Sequence, residues 1–140
     1  MSATWVTGPA PLIRTSGLHS AGLLDPEFFA YWEDIDLCVR VIRCGGDVRA
    51  VAEAVAYHSG AASTGGWKSP LVQFLYSRNG LLFLGKNAPR RQRAAALLRF
   101  SAWSLGNAGV LHIEGKHAAA EAVVQGMTGG LLGGLGERKS

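Results

Sequence analysis

The sequence predicts an α/β fold, because short apolar runs of strand length alternate with amphipathic runs of helical period. Residues 48–51 alternate as a half-buried strand does, and residues 54–58 form a second short apolar run behind them. Within residues 34–43 the apolar side chains Ile35, Cys38, Val39 and Ile42 recur at i, i+3, i+4 and i+7, the stripe of one buried helix face. After Ser69-Pro70 a second helical period runs through Leu71, Phe74, Leu75, Arg78, Leu81 and Leu82 to Lys86.

Composition sets the frame for these elements. Apolar residues make up 48% of the 140 and charged residues 17%, the balance of a folded chain rather than a disordered one. The formal charge is +4 and unevenly placed. Residues 1–77 hold five Lys/Arg against seven Asp/Glu, and residues 78–140 hold nine against three, so the basic excess belongs to the second half. Cys38 and Cys44 lie nearly two helical turns apart, which suits neither a disulfide nor a metal pair. With no signal peptide at the start, reduced thiols in a cytoplasmic protein are the expectation.

In chain order, Trp5-Val6 reads as a strand arriving at a turn, and Pro9 and Pro11 forbid continuous ladder bonding there. Residues 12–14 are strand-like, residues 16–22 allow a short helix, and Asp25-Pro26 forms a turn. Two aromatic pairs, Phe28-Phe29 and Tyr31-Trp32, then lead into Glu33, Asp34 and Asp36, and Gly45-Gly46 ends the helix that follows. Glu33 and Asp34 fall at the helix N-terminus, beside unpaired backbone N–H groups. Spacing leaves two readings open. They cap the helix, stabilising it by a few tenths to about 1 kcal/mol, or they present an ionised carboxylate, walled by aromatics, as a general base.

Residues 59–66 form a small, glycine-rich loop. Lys68-Ser69 after it has the letters of a phosphate-binding loop, but Gly66 and Trp67 intervene and the spacing fails. Ser69 is an N-cap followed by proline at the first helical position. From residue 89 the character changes: Arg90, Arg91 and Arg93 form a basic knot before a mostly apolar stretch, 94–113, interrupted by Arg99, Asn107 and two glycines. Those interruptions argue against a membrane span. An interfacial membrane segment and a helical hairpin packed on the domain both fit. Residues 116–136 read as an alanine-rich helix broken up by glycines.

Four blocks carry a family resemblance: Gly8-Pro-Ala-Pro-Leu-Ile-Arg14, Gly22-Leu-Leu-Asp-Pro-Glu-Phe-Phe29, Tyr31-Trp-Glu-Asp-Ile-Asp-Leu-Cys-Val-Arg40 and Ala56-Tyr-His-Ser-Gly60. Their order and spacing resemble the acceptor half of family 2 glycosyltransferases, nearest to the rhamnosyltransferase-like branch, over residues 5 to about 89. The Glu-Asp-x-Asp-Leu-x-x-Arg block is the specific one. The resemblance implies a GT-A architecture (nucleotide-diphospho-sugar transferase-like), of which residues 1–88 form the acceptor-side part and residues 89–140 a basic, apolar helical tail. The N-terminal nucleotide-binding half has no counterpart in these 140 residues. The Asp-x-Asp motif of that half holds a divalent metal, Mg or Mn, and the donor diphosphate. Asp34-Ile35-Asp36 has the right letters but lies in the acceptor block, and is not read as that motif.

The same resemblance implies the roles. Asp34 is the general base of an inverting transfer from a nucleotide-diphospho-sugar to a saccharide or lipid-linked acceptor, in cell-envelope polysaccharide biosynthesis. Glu33 and Asp36 support orientation, and Tyr31 or Trp32 stacks on a sugar ring. Arg78, matching an Arg-Asn pair with Asn79, lies near the diphosphate or else simply reaches solvent. His58 approaches the metal or diphosphate, or is structural. No metal is expected to bind this chain tightly alone. The partners implied are donor, acceptor, a separate donor-binding half and the inner membrane surface, not nucleic acid. The competing expectations are a non-catalytic acceptor-binding module without donor-site activity, and a small membrane-surface adaptor.

Overall fold

A computed structural model describes residues 3, 5–6, 10–58 and 64–136. Its helices are α1 (Thr15–Ala21), α2 (Glu33–Arg43), α3 (Pro70–Asn87), α4 (Arg90–Ile113) and α5 (His117–Gly136). The expected α/β class, and with it the GT-A architecture, is overturned: the described residues form helices and connecting segments, with no strand or sheet. A strand needs a neighbouring backbone and a face to bury. The expected strands at residues 12–14 and 54–58 have no buried side chain, and residues 48–51, with Val48 buried, make only an isolated bridge and no sheet among the described residues. Residues 12–14 run into α1 with Leu12 fully exposed, and Val55 and Tyr57 are 75% and 99% exposed. Residues 48–51 meet another segment through Ala3 N–H, which donates to Val48 O at 2.8 Å, and then turn, Ala54 N–H donating to Val51 O at 3.2 Å. For apolar runs of three to five residues, alternation alone does not distinguish a strand from an extended connection.

The chain divides into two compact units, Met1–Ser59 and Gly60–Ser140. In the first, α1 packs against α2, and Phe28, Leu37, Cys38 and Val48 are buried. The expected stripe on α2 is shifted by register: Leu37 and Cys38 are inside, while Ile42 is 41% exposed. Arg40 binds this unit together. Its guanidinium donates from Nε to Asp36 Oδ2 at 2.7 Å, from Nη1 to Ala21 O at 2.5 Å and from Nη2 to Leu23 O at 2.9 Å. The i, i+4 ion pair on α2 thereby also fixes the chain leaving α1.

The second unit is a three-helix arrangement of α3, α4 and α5. Ser69 caps α3 as its position predicts: its Oγ accepts from Val72 N–H at 3.3 Å and donates to Thr64 O at 2.6 Å, with Pro70 first in the helix. Leu81, Ala108, Leu111, Ala119, Ala120, Val123 and Met127 form the core, with Leu97 and Phe100 packed on it. Asn107 Nδ2 donates to Gln73 Oε1 at 2.7 Å, tying α4 to α3. Residues 94–113 are thus the first arm of a helical hairpin packed on α3. No described helix is long and apolar enough to cross a membrane.

Two glycines set the closest seam. A Cβ at Gly126 would stand 2.3 Å from Phe74 O, and one at Gly130 2.6 Å from Arg78 O, so α5 lies with backbone directly on α3. Gly126→Ala and Gly130→Ala are each expected to destabilise the protein by about 1–3 kcal/mol through overpacking. Gly129→Ala, with open space around it, is expected to stabilise by about 0.5–1 kcal/mol, the gain of alanine over glycine inside a helix. Urea unfolding of the three variants checks this; equal losses at all three positions would remove the seam as the cause.

At the turn from α4 to α5, Lys116 N–H donates to Leu111 O at 2.8 Å and Gly115 N–H to His112 O at 3.0 Å, with Gly115 at φ +76°. This is a glycine-closed helix C-terminus that satisfies two terminal carbonyls. Glu114 braces it, accepting from Lys116 Nζ and Lys68 Nζ at 2.7 Å each. Those hydrogen bonds, Lys116's first and Lys68's second, hold its carboxyl down to about 2 from the usual 4.5. A depressed carboxyl stabilises the fold above its ordinary value and loses that contribution as the pH falls through the lowered one. The melting temperature of Glu114→Gln should therefore lie below the parent's at neutral pH. The gap should close between about pH 4.5 and pH 2, and narrow with added salt because the cluster is exposed. A gap constant across that range would contradict the linkage.

Candidate functional site

The segment leading into α2 is built as a wound ramp. Asp25 Oδ1 accepts from Glu27 N–H at 3.0 Å. The winding continues with Phe28 N–H donating to Asp25 O at 3.2 Å and Ala30 N–H to Phe28 O at 2.7 Å. Three aromatic residues in this ramp take left-handed backbone: Phe29 at φ 63°, Tyr31 at φ 67° and Trp32 at φ 76°. Bulky side chains rarely adopt that region, and each such residue costs on the order of 1–3 kcal/mol. Phe28, wholly buried, anchors the ramp.

Trp32 stands at the N-cap of α2 with no side-chain capping bond, so Glu33 and Asp34 occupy the first two helical positions. The three nearby carboxylates have different environments. Asp34 is half-buried, and its Oδ1 accepts from Ile35 N–H at 2.8 Å. Asp36 is buried and engaged by Arg40. Glu33 has its Oε2 buried without a hydrogen-bond partner. Burial raises the Glu33 carboxyl above its usual 4.5, its own backbone N–H opposes this, and the neighbouring Asp34 charge raises it further.

The structure therefore brings Tyr31, Trp32, Glu33, Asp34 and Asp36 together at one helix end. His58 is an exposed residue near the end of the same unit. Arg78 belongs to the other unit, on α3, where its Nη1 donates to the buried Asn79 Oδ1 at 2.7 Å. The loop before Lys68 lies partly outside the described residues, at 59–63. Among the described residues no three His, Cys, Asp or Glu side chains converge as a metal-ligand set.

Sequence reasoning missed two features. The desolvation of Glu33 depends on tertiary burial and leaves no local signal. Arg40 had one, since it lies four residues after Asp36 on a helix. Cys38 and Cys44 are both free thiols. No family model, curated protein or solved structure matches the chain.

Proposed function

We propose that residues 28–40 are the acceptor-activating element of a family 2 glycosyltransferase, with Asp34 as general base. Asp34 takes the proton of an acceptor hydroxyl while that oxygen bonds to the anomeric carbon. The bond from that carbon to the nucleoside diphosphate breaks with inversion, and the diphosphate leaves with the electron pair. The observation that carries this reading is the pair of adjacent carboxylates, Glu33 and Asp34, on the first turn of α2 behind three left-handed aromatics. Strain of this kind clusters at functional sites. The four sequence blocks add the family. Donor recognition is assigned to residues outside this sequence, in a further segment or a separate chain.

A second reading makes Glu33 the base, because its desolvated carboxyl binds a proton more readily than an ordinary one and has an oxygen without a partner. The test is release of nucleoside diphosphate from UDP-, GDP- and dTDP-sugars by the chain supplied with a donor-binding half. Release that depends on a saccharide acceptor supports the proposal. Acceptor binding without release at any donor makes the chain a binding module.

The membrane partner rests on α4. Leu98, Leu105 and Ile113 are 72%, 53% and 86% exposed, and the exposed Arg90, Arg91 and Arg99 lie on the same helix. Each basic residue near an anionic surface adds about 1 kcal/mol, screened by salt. The chain is expected to sediment with phosphatidylserine vesicles at low salt and to be released at high salt. Arg90→Gln/Arg91→Gln/Arg99→Gln should sediment less; unchanged sedimentation would remove this surface.

A further inference from the structure

We propose that the α4–α5 turn is a two-histidine chelate for one borderline divalent transition-metal cation of the zinc, nickel and copper class. His112 lies in the last turn of α4 and His117 opens α5, and their Nδ1 atoms stand 3.1 Å apart with ring centroids at 4.5 Å. At that separation a proton on either Nδ1 can be shared with the other ring, the tautomer setting which one donates. Metal–imidazole bonds of about 2.0–2.1 Å with nitrogens 3.1 Å apart give a nitrogen–metal–nitrogen angle of roughly 100°, between octahedral and tetrahedral values. A cation can replace the shared proton with small ring rotations, water completing its coordination.

The turn is preorganised for this. Gly115 closes α4, Leu111 beside it is 1% exposed, and Glu114 is held from both sides by Lys116 and Lys68. Glu114 and Lys116 belong to the same turn, Lys68 reaches Glu114, and Glu121 follows His117 by four residues on α5, so carboxylates offset the two ammonium groups. The partial negative charge at the end of α4 and the partial positive charge at the start of α5 meet at this turn and offset each other, leaving the imidazole nitrogens to carry the binding. Imidazole donors select borderline transition metals over magnesium or calcium, which prefer oxygen. The bound cation ties the end of α4 to the start of α5 and so stabilises the folded chain by mass action.

The full chain is titrated with zinc sulfate, with magnesium chloride as the oxygen-preferring control, while histidine ring signals are followed by NMR. One zinc per chain should saturate, raise the melting temperature and shift His112 and His117, leaving His19 and His58 unmoved. His112→Asn and His117→Asn should each weaken binding at least roughly tenfold, the size that even an outer-shell partner commands. Equal shifts at all four histidines, equal response to magnesium, or unweakened binding in both variants would overturn the proposal. The ring signals of the parent chain decide it even if a variant folds poorly.

Discussion

Asp34→Asn is expected to lower the turnover of sugar transfer by about a hundred- to ten-thousand-fold, the usual contribution of a general base. The assay supplies the chain with a donor-binding half and measures kcat. Asparagine keeps the size of the side chain and an oxygen for the Ile35 N–H, so the melting temperature should barely move. Glu33→Gln should cost less in kcat, and should stabilise slightly by removing a desolvated charge. If Glu33→Gln abolishes turnover while Asp34→Asn keeps it, the base is Glu33. The acid limb of the pH–rate profile should then lie above the ordinary carboxylate range, because the Glu33 carboxyl is raised. If both variants keep turnover and only the melting temperature changes, the carboxylates serve the helix end alone.

Arg40→Met is expected to destabilise the protein by about 3–5 kcal/mol, the cost of removing one member of a buried ion pair. Asp36 is 3% exposed, and the carbonyls of Ala21 and Leu23 lose their donors in the same step. The double variant Asp36→Leu/Arg40→Met should recover part of the loss, since it replaces both members of the pair with apolar groups. Urea unfolding of the parent, both single variants and the double variant measures the coupling. A loss under about 1 kcal/mol in Arg40→Met, the range of a surface pair, would mean that the pair is solvated.

The helices are legible in the sequence where cap, period and stop agree. Ser69-Pro70 marks the start of α3, and Gly45-Gly46 follows the end of α2 within two residues. The strand expectation fails because residues 12–14, 48–51 and 54–58 are too short for period to decide. Whether such a run joins a sheet depends on a partner backbone elsewhere in the chain. At the candidate site, the clustering of Glu33, Asp34 and Asp36 follows from adjacency on one helix. Their differences do so only in part. The Asp36–Arg40 pair is an i, i+4 spacing on α2, but Glu33 is desolvated by packing that residue spacing does not encode.

The backbone-on-backbone seam between α3 and α5 has a consequence for how the protein opens. Where side chains interdigitate, a widened gap can be refilled by changing rotamers; where glycines meet carbonyls, nothing is available to refill it. Amides around Phe74, Arg78, Gly126 and Gly130 therefore exchange with solvent only when the two helices part, close to the global unfolding limit. The helix α1 buries no residue and sits at the other end of that scale, opening in small local excursions. The molecule thus carries a gradient of cooperativity, from a helix that frays alone to a seam that yields all at once.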